Sequence, residues 1–194
     1  MKMRKTILTI VLIAVMVFSF SACVKDETRG QYELTPTYVS KAYIERGDES
    51  IPVMVRGYIS IECQVGDQYK MLIDQVLRTV PEQGLDADTV ISDKIQFNDI
   101  YFEEIGETDK VGIVYVDFKG GETQEGEAPM LSGGGSLEEA LLISQIVESL
   151  VNSYAEVEQV QFLIDGQVVE SLMGHFDAMT PYTEGIHTLV VDSN

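Results

Sequence analysis

The sequence predicts an α+β fold in a single domain. Three observations carry this reading. Two segments, Tyr69–Val80 and Ala140–Tyr154, repeat apolar residues at helical spacing. The segments around them are rich in β-branched and aromatic residues and alternate in polarity, as strands do. The 165 residues after Arg29 suit one domain, and an apolar content of 45% gives it a sizeable core.

"YELTPTYVS" (Tyr32–Ser40) reads as a first strand, bent or at an edge because Pro36 cannot donate to a ladder. "PVMVRGYISIEC" (Pro52–Cys63) is a second extended segment. Gly66 and Asp67 then open a helix in which Tyr69, Leu72, Ile73, Val76, Leu77 and Val80 form one stripe, ended by Pro81. "PEQGLDADTVISD" is a loop. Ile95–Glu104 and Lys110–Lys119 are strands joined by the polar link "IGETD" as an antiparallel hairpin. A long glycine- and glutamate-rich loop, Gly120–Gly135, leads to the second helix, whose stripe is Ala140, Ile143, Val147, Leu150, Val151 and Tyr154. Val160, Phe162 and Ile164 alternate as a strand, and Asp165-Gly166 is a two-residue hairpin signal. The tail is irregular, with a last short strand over His187–Val191. The order is β-α-β-β-α-β-β.

"SGGGSLEEALL" (Ser132–Leu142) raises the question of a phosphate loop. No lysine follows the glycines, as a P-loop requires. Glu138 and Glu139 in the first turn would repel a phosphate and themselves complement the helix dipole. Ser136 and Glu139 instead fit a capping box, the serine bonding the N3 amide and the glutamate reaching back.

The chain starts with Lys2, Arg4 and Lys5, followed by the apolar run Ile7–Phe20, too short to favour a membrane span and suited to a secretory signal. Ser21 and Ala22 precede Cys23. This stretch resembles the lipobox of bacterial lipoproteins, with Phe20 where leucine is usual. The resemblance implies cleavage between Ala22 and Cys23 and a diacylglycerol on the Cys23 sulfur. Two or more acyl chains give stable anchoring. The expected organisation is a signal over 1–22, a polar tether over 23–30 and the domain over 31–194.

Cys63 is then the one remaining cysteine, which excludes an intramolecular disulfide and a cysteine metal cluster. Its strand-like setting makes it a small buried side chain. Removing 1–22 takes three of the 13 basic residues and none of the 32 acidic ones, leaving a net charge of −22. That charge disfavours nucleic acid and adsorption to anionic headgroups.

Three stretches carry a family likeness: "YVDFKGG" (Tyr115–Gly121), "GGSLEEALLISQIVESLVNSYAEVEQVQFLIDGQ" (Gly134–Gln167) and "LMGHFDAMTPY" (Leu172–Tyr182). With "VLRTVPEQGLDAD" (Val76–Asp88) upstream, the chain resembles the GerMN domain of sporulation and germination proteins and of bacterial envelope lipoproteins. The resemblance implies a small α+β module with two helices packed on one face of a mixed or antiparallel sheet. It carries over no catalytic residue. The paired-domain member GerM takes part in an assembly joining mother cell and forespore, whereas this chain has room for one domain.

No constellation for chemistry completes itself. His175 and Asp177 lie close together, but no G-x-S-x-G and no HExxH accompanies them. Asp86 with Asp88, Glu103 with Glu104, and Glu138 with Glu139 read as solvated acids. Oxygens of this kind can hold calcium, but the EF-hand pattern is absent. The expectation is a non-enzymatic, extracytoplasmic lipoprotein without metal or cofactor, anchored at Cys23 and acting as a binding or scaffolding module for an envelope protein. The open edge of the sheet and the face opposite the helices are the candidate contact surfaces. The alternative is a lipoprotein that binds a small molecule or wall fragment. A hydrolase using His175 and Asp177 is a third reading. Oligomeric state stays open.

Overall fold

The computed structural model describes residues 28–47, 53–82, 84–106, 110–121, 130–131, 134–187 and 190–192. The segment 1–22, Cys23 and residues 24–27 of the expected tether lie outside the described residues, as does most of the Gly120–Gly135 loop, while Arg29 and Gly30, expected in the tether, already belong to the first strand. The fold is α+β, with more pieces among the described residues than expected: three sheets in place of one, and a third helix.

The first two expected strands are each broken once. β1 (Arg29–Leu34) and β2 (Thr37–Ser40) flank Pro36, while β3 (Met54–Arg56) and β4 (Ile59–Gln64) flank Gly57. They form one antiparallel ribbon, Leu34 facing Ile59 and Thr37 facing Arg56, bent where the two breaks meet. At the bend Gly57 N–H donates to the Pro36 carbonyl at 2.8 Å. Proline has no N–H to return, so the ladder stops there and restarts in a new plane. The ribbon's halves therefore belong to different sheets, β1-β4 and β5-β2-β3-β9. β5 is the short Ala87–Asp88, inside the expected loop, and β9 (Val190–Asp192) pairs in parallel with β3.

Helix α1 (Lys41–Arg46) was not expected. It is one and a half turns long and owes its form to its ends. Ser40 Oγ accepts from Tyr43 N–H, and Gly47 closes it with a φ of +61°. Helix α2 (Gln68–Asp74) is shorter than the Tyr69–Val80 stripe and passes into a 3₁₀ turn at Val76–Arg78. The stripe is buried as expected at Tyr69, Leu72, Ile73, Val76 and Leu77. At the helix end Arg78 Nε donates to the Asp74 carbonyl at 2.9 Å, and in the 3₁₀ turn Tyr38 OH reaches the Val76 carbonyl at 3.1 Å while Thr89 Oγ1 donates to that of Leu77.

The third sheet is mixed. β6 (Phe97–Glu104) and β7 (Gly112–Phe118) are the expected antiparallel hairpin pair, and β8 (Val157–Ile164) joins β7 in parallel. Asp165 and Gly166 make the expected turn, both with positive φ (50° and 74°), closed by Ile164 N–H to the Gln167 carbonyl at 2.9 Å. Among the described residues no strand returns from it, and only Tyr182 comes back to β8, in a two-bond antiparallel bridge with Val160. The chain leaves the sheet after Gln167 and buries Val169, Leu172 and Met173 in the core.

Helix α3 (Ser136–Ser153) is the hub, touching β1, β2, β8 and α2. The apolar stripe is buried at Ala140, Ile143, Val147, Leu150 and the C-cap Tyr154, while Val151 is partly exposed. Burial extends well beyond the stripe: every residue from Glu139 to Val147 is enclosed. The polar side of α3 binds backbone instead of water. Gln145 Oε1 accepts from Val90 N–H at 3.1 Å, Ser149 Oγ from Thr37 N–H at 2.8 Å and Ser153 Oγ from Thr35 N–H at 3.0 Å. Spaced four apart, these three side chains hold the bent ribbon and the β5 loop along one line of the helix.

Candidate functional site

The capping box at the start of α3 does not form. The N-cap is Gly135, and no side chain caps the helix. Glu139 is wholly buried, and its carboxylate turns to the segment after the β8 turn instead of back to Ser136. Oε1 accepts from Ser171 Oγ (2.7 Å) and from the N–H groups of Leu172 and Met173 (2.9 Å each), and Oε2 accepts from His175 N–H at 2.9 Å. Three backbone donors converge on one carboxylate, which is why it outcompetes a local cap. Glu138 beside it is exposed, as expected of the pair.

This arrangement also accounts for the "GHFD" stretch. His175 is bound through its main chain to Glu139 and Ser171. Asp177 organises its own turn: Oδ1 accepts from Met179 N–H and Oδ2 from Thr180 Oγ1, both at 3.2 Å, and its carbonyl accepts from Tyr182 OH. These bonds of His175 and Asp177 stay within the segment and reach Glu139. Asp86, Asp88, Glu103 and Glu104 are exposed and not gathered. Among the described residues no group of three or more His, Cys, Asp or Glu side chains is placed to hold a metal. Cys63 is 4% exposed on β4, and burial, followed by Asp67, pushes its thiol up, away from nucleophilic use.

Three surfaces remain. The first is the outer side of β6 and β7. Tyr101 and Tyr115 face each other in register, with rings stacked at 4.9 Å and 12°, and Tyr101 is 41% exposed. Burial and the adjacent Glu103 carboxylate raise both phenols. No described strand pairs with the outer edge of β6, and within that strand Asp99 Oδ1 accepts from Ile100 N–H at 2.9 Å.

The second surface is a cleft of about 430 Å³ beside the first turn of α3, with Lys94, Lys119, Ser92 and Gln96 around Met173 and Leu131. Arg78 fixes its rim by donating to the carbonyls of Ser92 (3.0 Å) and Ile95 (2.9 Å) while paired to Asp74 at 2.8 Å. The third is a shallow apolar groove of about 370 Å³ between α1 and α3, lined by Tyr43, Ile44, Val90, Leu137 and Leu141. Neither depression is legible in the sequence, because each is assembled from segments far apart in the chain.

The family described as "Germane: Sporulation and spore germination" matches residues 38–170. Two solved structures are similar. One, from Clostridium perfringens and described as a lipoprotein, is 14% identical, covers 80% of this chain and 87% of its own, and has a TM-score of 0.43. The other, the tandem GerMN domains of the sporulation protein GerM from Bacillus subtilis, is 15% identical with a TM-score of 0.49. It covers 87% of this chain, which in turn spans 50% of the tandem protein. No curated protein matches the chain. The family match ends at Glu170, just short of the segment that Glu139 holds, and includes all of α3 and the third sheet. Because it spans more than half of the 194 residues, the chain belongs to the Germane (GerMN) family.

Proposed function

We propose that the protein is an extracytoplasmic lipoprotein, anchored through Cys23, whose GerMN domain serves as a non-catalytic binding or scaffolding module in an envelope assembly of sporulation or germination. The observation that carries this reading is the family match combined with the use of the polar groups. Glu139, Gln145, Ser149 and Asp177, the buried or acidic groups that chemistry would need, are all committed to holding the backbone. The outward Tyr101–Tyr115 pair is the contact surface that fits best. Stacked tyrosines supply rigid, amphipathic area at low entropic cost.

To test this, the full-length protein, tagged at its C-terminus, is crosslinked in growing and in starved cells and purified. One envelope or wall-assembly protein enriched over a control lipoprotein, and more so after starvation, is the expected result. Recovery of the protein alone in both states would contradict it.

A second reading, binding of a small molecule or wall fragment, is favoured by the Lys94–Lys119 cleft. Its volume suits a small ligand, and its lysines stand out on a chain with a net charge of −19. Calorimetry with soluble peptidoglycan fragments tests it. Heat that disappears in Lys94→Ala and Lys119→Ala variants would move the assignment to this cleft.

A further inference from the structure

The end of the domain that meets the tether is defined by a set of direct contacts. Thr28 enters the fold beside Val65, whose N–H donates to the Thr28 carbonyl at 2.7 Å. The start of α2 is joined to the end of β6 by the stacked rings of Tyr69 and Phe102, 5.5 Å apart. Tyr69 OH reaches Glu156 at 2.9 Å, and Gly112 N–H donates to the Glu156 carbonyl. Tyr154 OH, at the end of α3, donates to the Gln68 carbonyl. The first residue of β1, the start of α2, the end of β6, the start of β7 and the end of α3 therefore share one end of the molecule. Two apolar side chains stand out there, Val65 at 65% and Ile105 at 50% exposure.

The cleft and the groove lie at the other end, around the first turn of α3. Eighteen helical residues separate the two ends, about 27 Å along the axis. Thr28 is five residues after Cys23. Five residues span at most about 18 Å, even fully extended. A lipid on Cys23 thus brings the Val65 end to the bilayer, and the domain cannot turn over on so short a lead.

We propose that the domain stands end-on at the membrane, with Val65 and Ile105 turned to the lipid surface and the Lys94–Lys119 cleft and the Tyr43–Leu137 groove turned away from it. This rests on the lipid-anchored reading. Against the cations Arg29, which pairs with Glu62 at 3.6 Å, and Lys110, the carboxylates Asp67, Glu103, Glu104 and Glu156 leave this end net acidic and oppose tight adsorption to anionic headgroups, so the tether sets the orientation and the two apolar tips only touch. The outward tyrosines, midway along β6 and β7, then face sideways, toward neighbours on the same membrane.

The test uses the full acylated protein in vesicles of phosphatidylcholine and phosphatidylglycerol carrying a nitroxide-headgroup lipid as quencher. A fluorophore is placed on Val65→Cys, Ile105→Cys or Lys119→Cys in separate variants. Cys63 is buried and stays unlabelled. Several-fold stronger quenching at positions 65 and 105 than at 119 is expected. Equal quenching of an acylated chain at all three positions, or the strongest at 119, overturns the orientation alone. Absence of an acyl group on Cys23 by mass spectrometry overturns the anchor and the orientation together.

Discussion

Glu139 accepts from three backbone N–H groups and one hydroxyl while it is wholly buried. Glu139→Ala strands those donors inside the protein, where each unsatisfied group costs about 1–3 kcal/mol. Urea unfolding should therefore show a loss of about 3 kcal/mol or more, with Glu139→Gln losing less because one oxygen remains. Ser136→Ala should change stability by under about 0.5 kcal/mol, since Ser136 makes no cap bond. A formed capping box would instead cost about 1 kcal/mol on that substitution.

Four tyrosines define the alkaline limit of the fold. Burial pushes Tyr182 up to about 12 and raises Tyr38, Tyr69 and Tyr154 further. In the unfolded chain all four ionise near 10. The folded values are the higher ones, so their contribution is complete below about pH 10 and is lost as pH rises through the folded values. Phenolate absorbance and far-UV circular dichroism should change together above pH 10. Full ionisation of these tyrosines with the circular dichroism unchanged would contradict this assignment.

At the scale of elements, α3 explains both what the sequence revealed and what it concealed. Its apolar stripe was legible because the spacing is regular. Its other side is not legible in the same way, since periodicity alone does not show that Gln145 and Ser149 are buried. The available signal was the uncharged run Ala140–Val147, since a helix surrounded by protein does without charges on every side. Leu142→Ala should cost about 2–5 kcal/mol, read as a lower urea midpoint at unchanged m. Gln145→Leu should destabilise as well, because Val90 N–H loses its acceptor. The ribbon was half legible: Pro36 announced a bend, but the facing Gly57 and the resulting split into two sheets depend on pairing that no local pattern encodes. The 3₁₀ turn after α2 was hidden for the same reason, since the side chains of Tyr38 and Thr89 that take its carbonyls come from elsewhere in the chain. At the start of α3, the capping-box pattern was present, but a loop more than thirty residues later claimed its glutamate.

At the scale of the whole molecule, charge and shape point the same way. No lysine or arginine follows Lys119 in the sequence. The C-terminal part, which includes α3, β8 and the segment held by Glu139, is therefore purely acidic where it is charged, and a partner docking there would need basic groups. The proposed assembly role puts the contact on the tyrosine face, where charge is mixed with aromatic area. Site-specific photocrosslinking in starved cells tests this most directly. A photoreactive residue replaces Tyr101 in one strain and Lys119 in another, within the full-length protein. A discrete adduct with an envelope protein is expected from position 101 and none from position 119. An adduct from 119 alone, or none from either, would contradict a scaffold that works through the Tyr101–Tyr115 face.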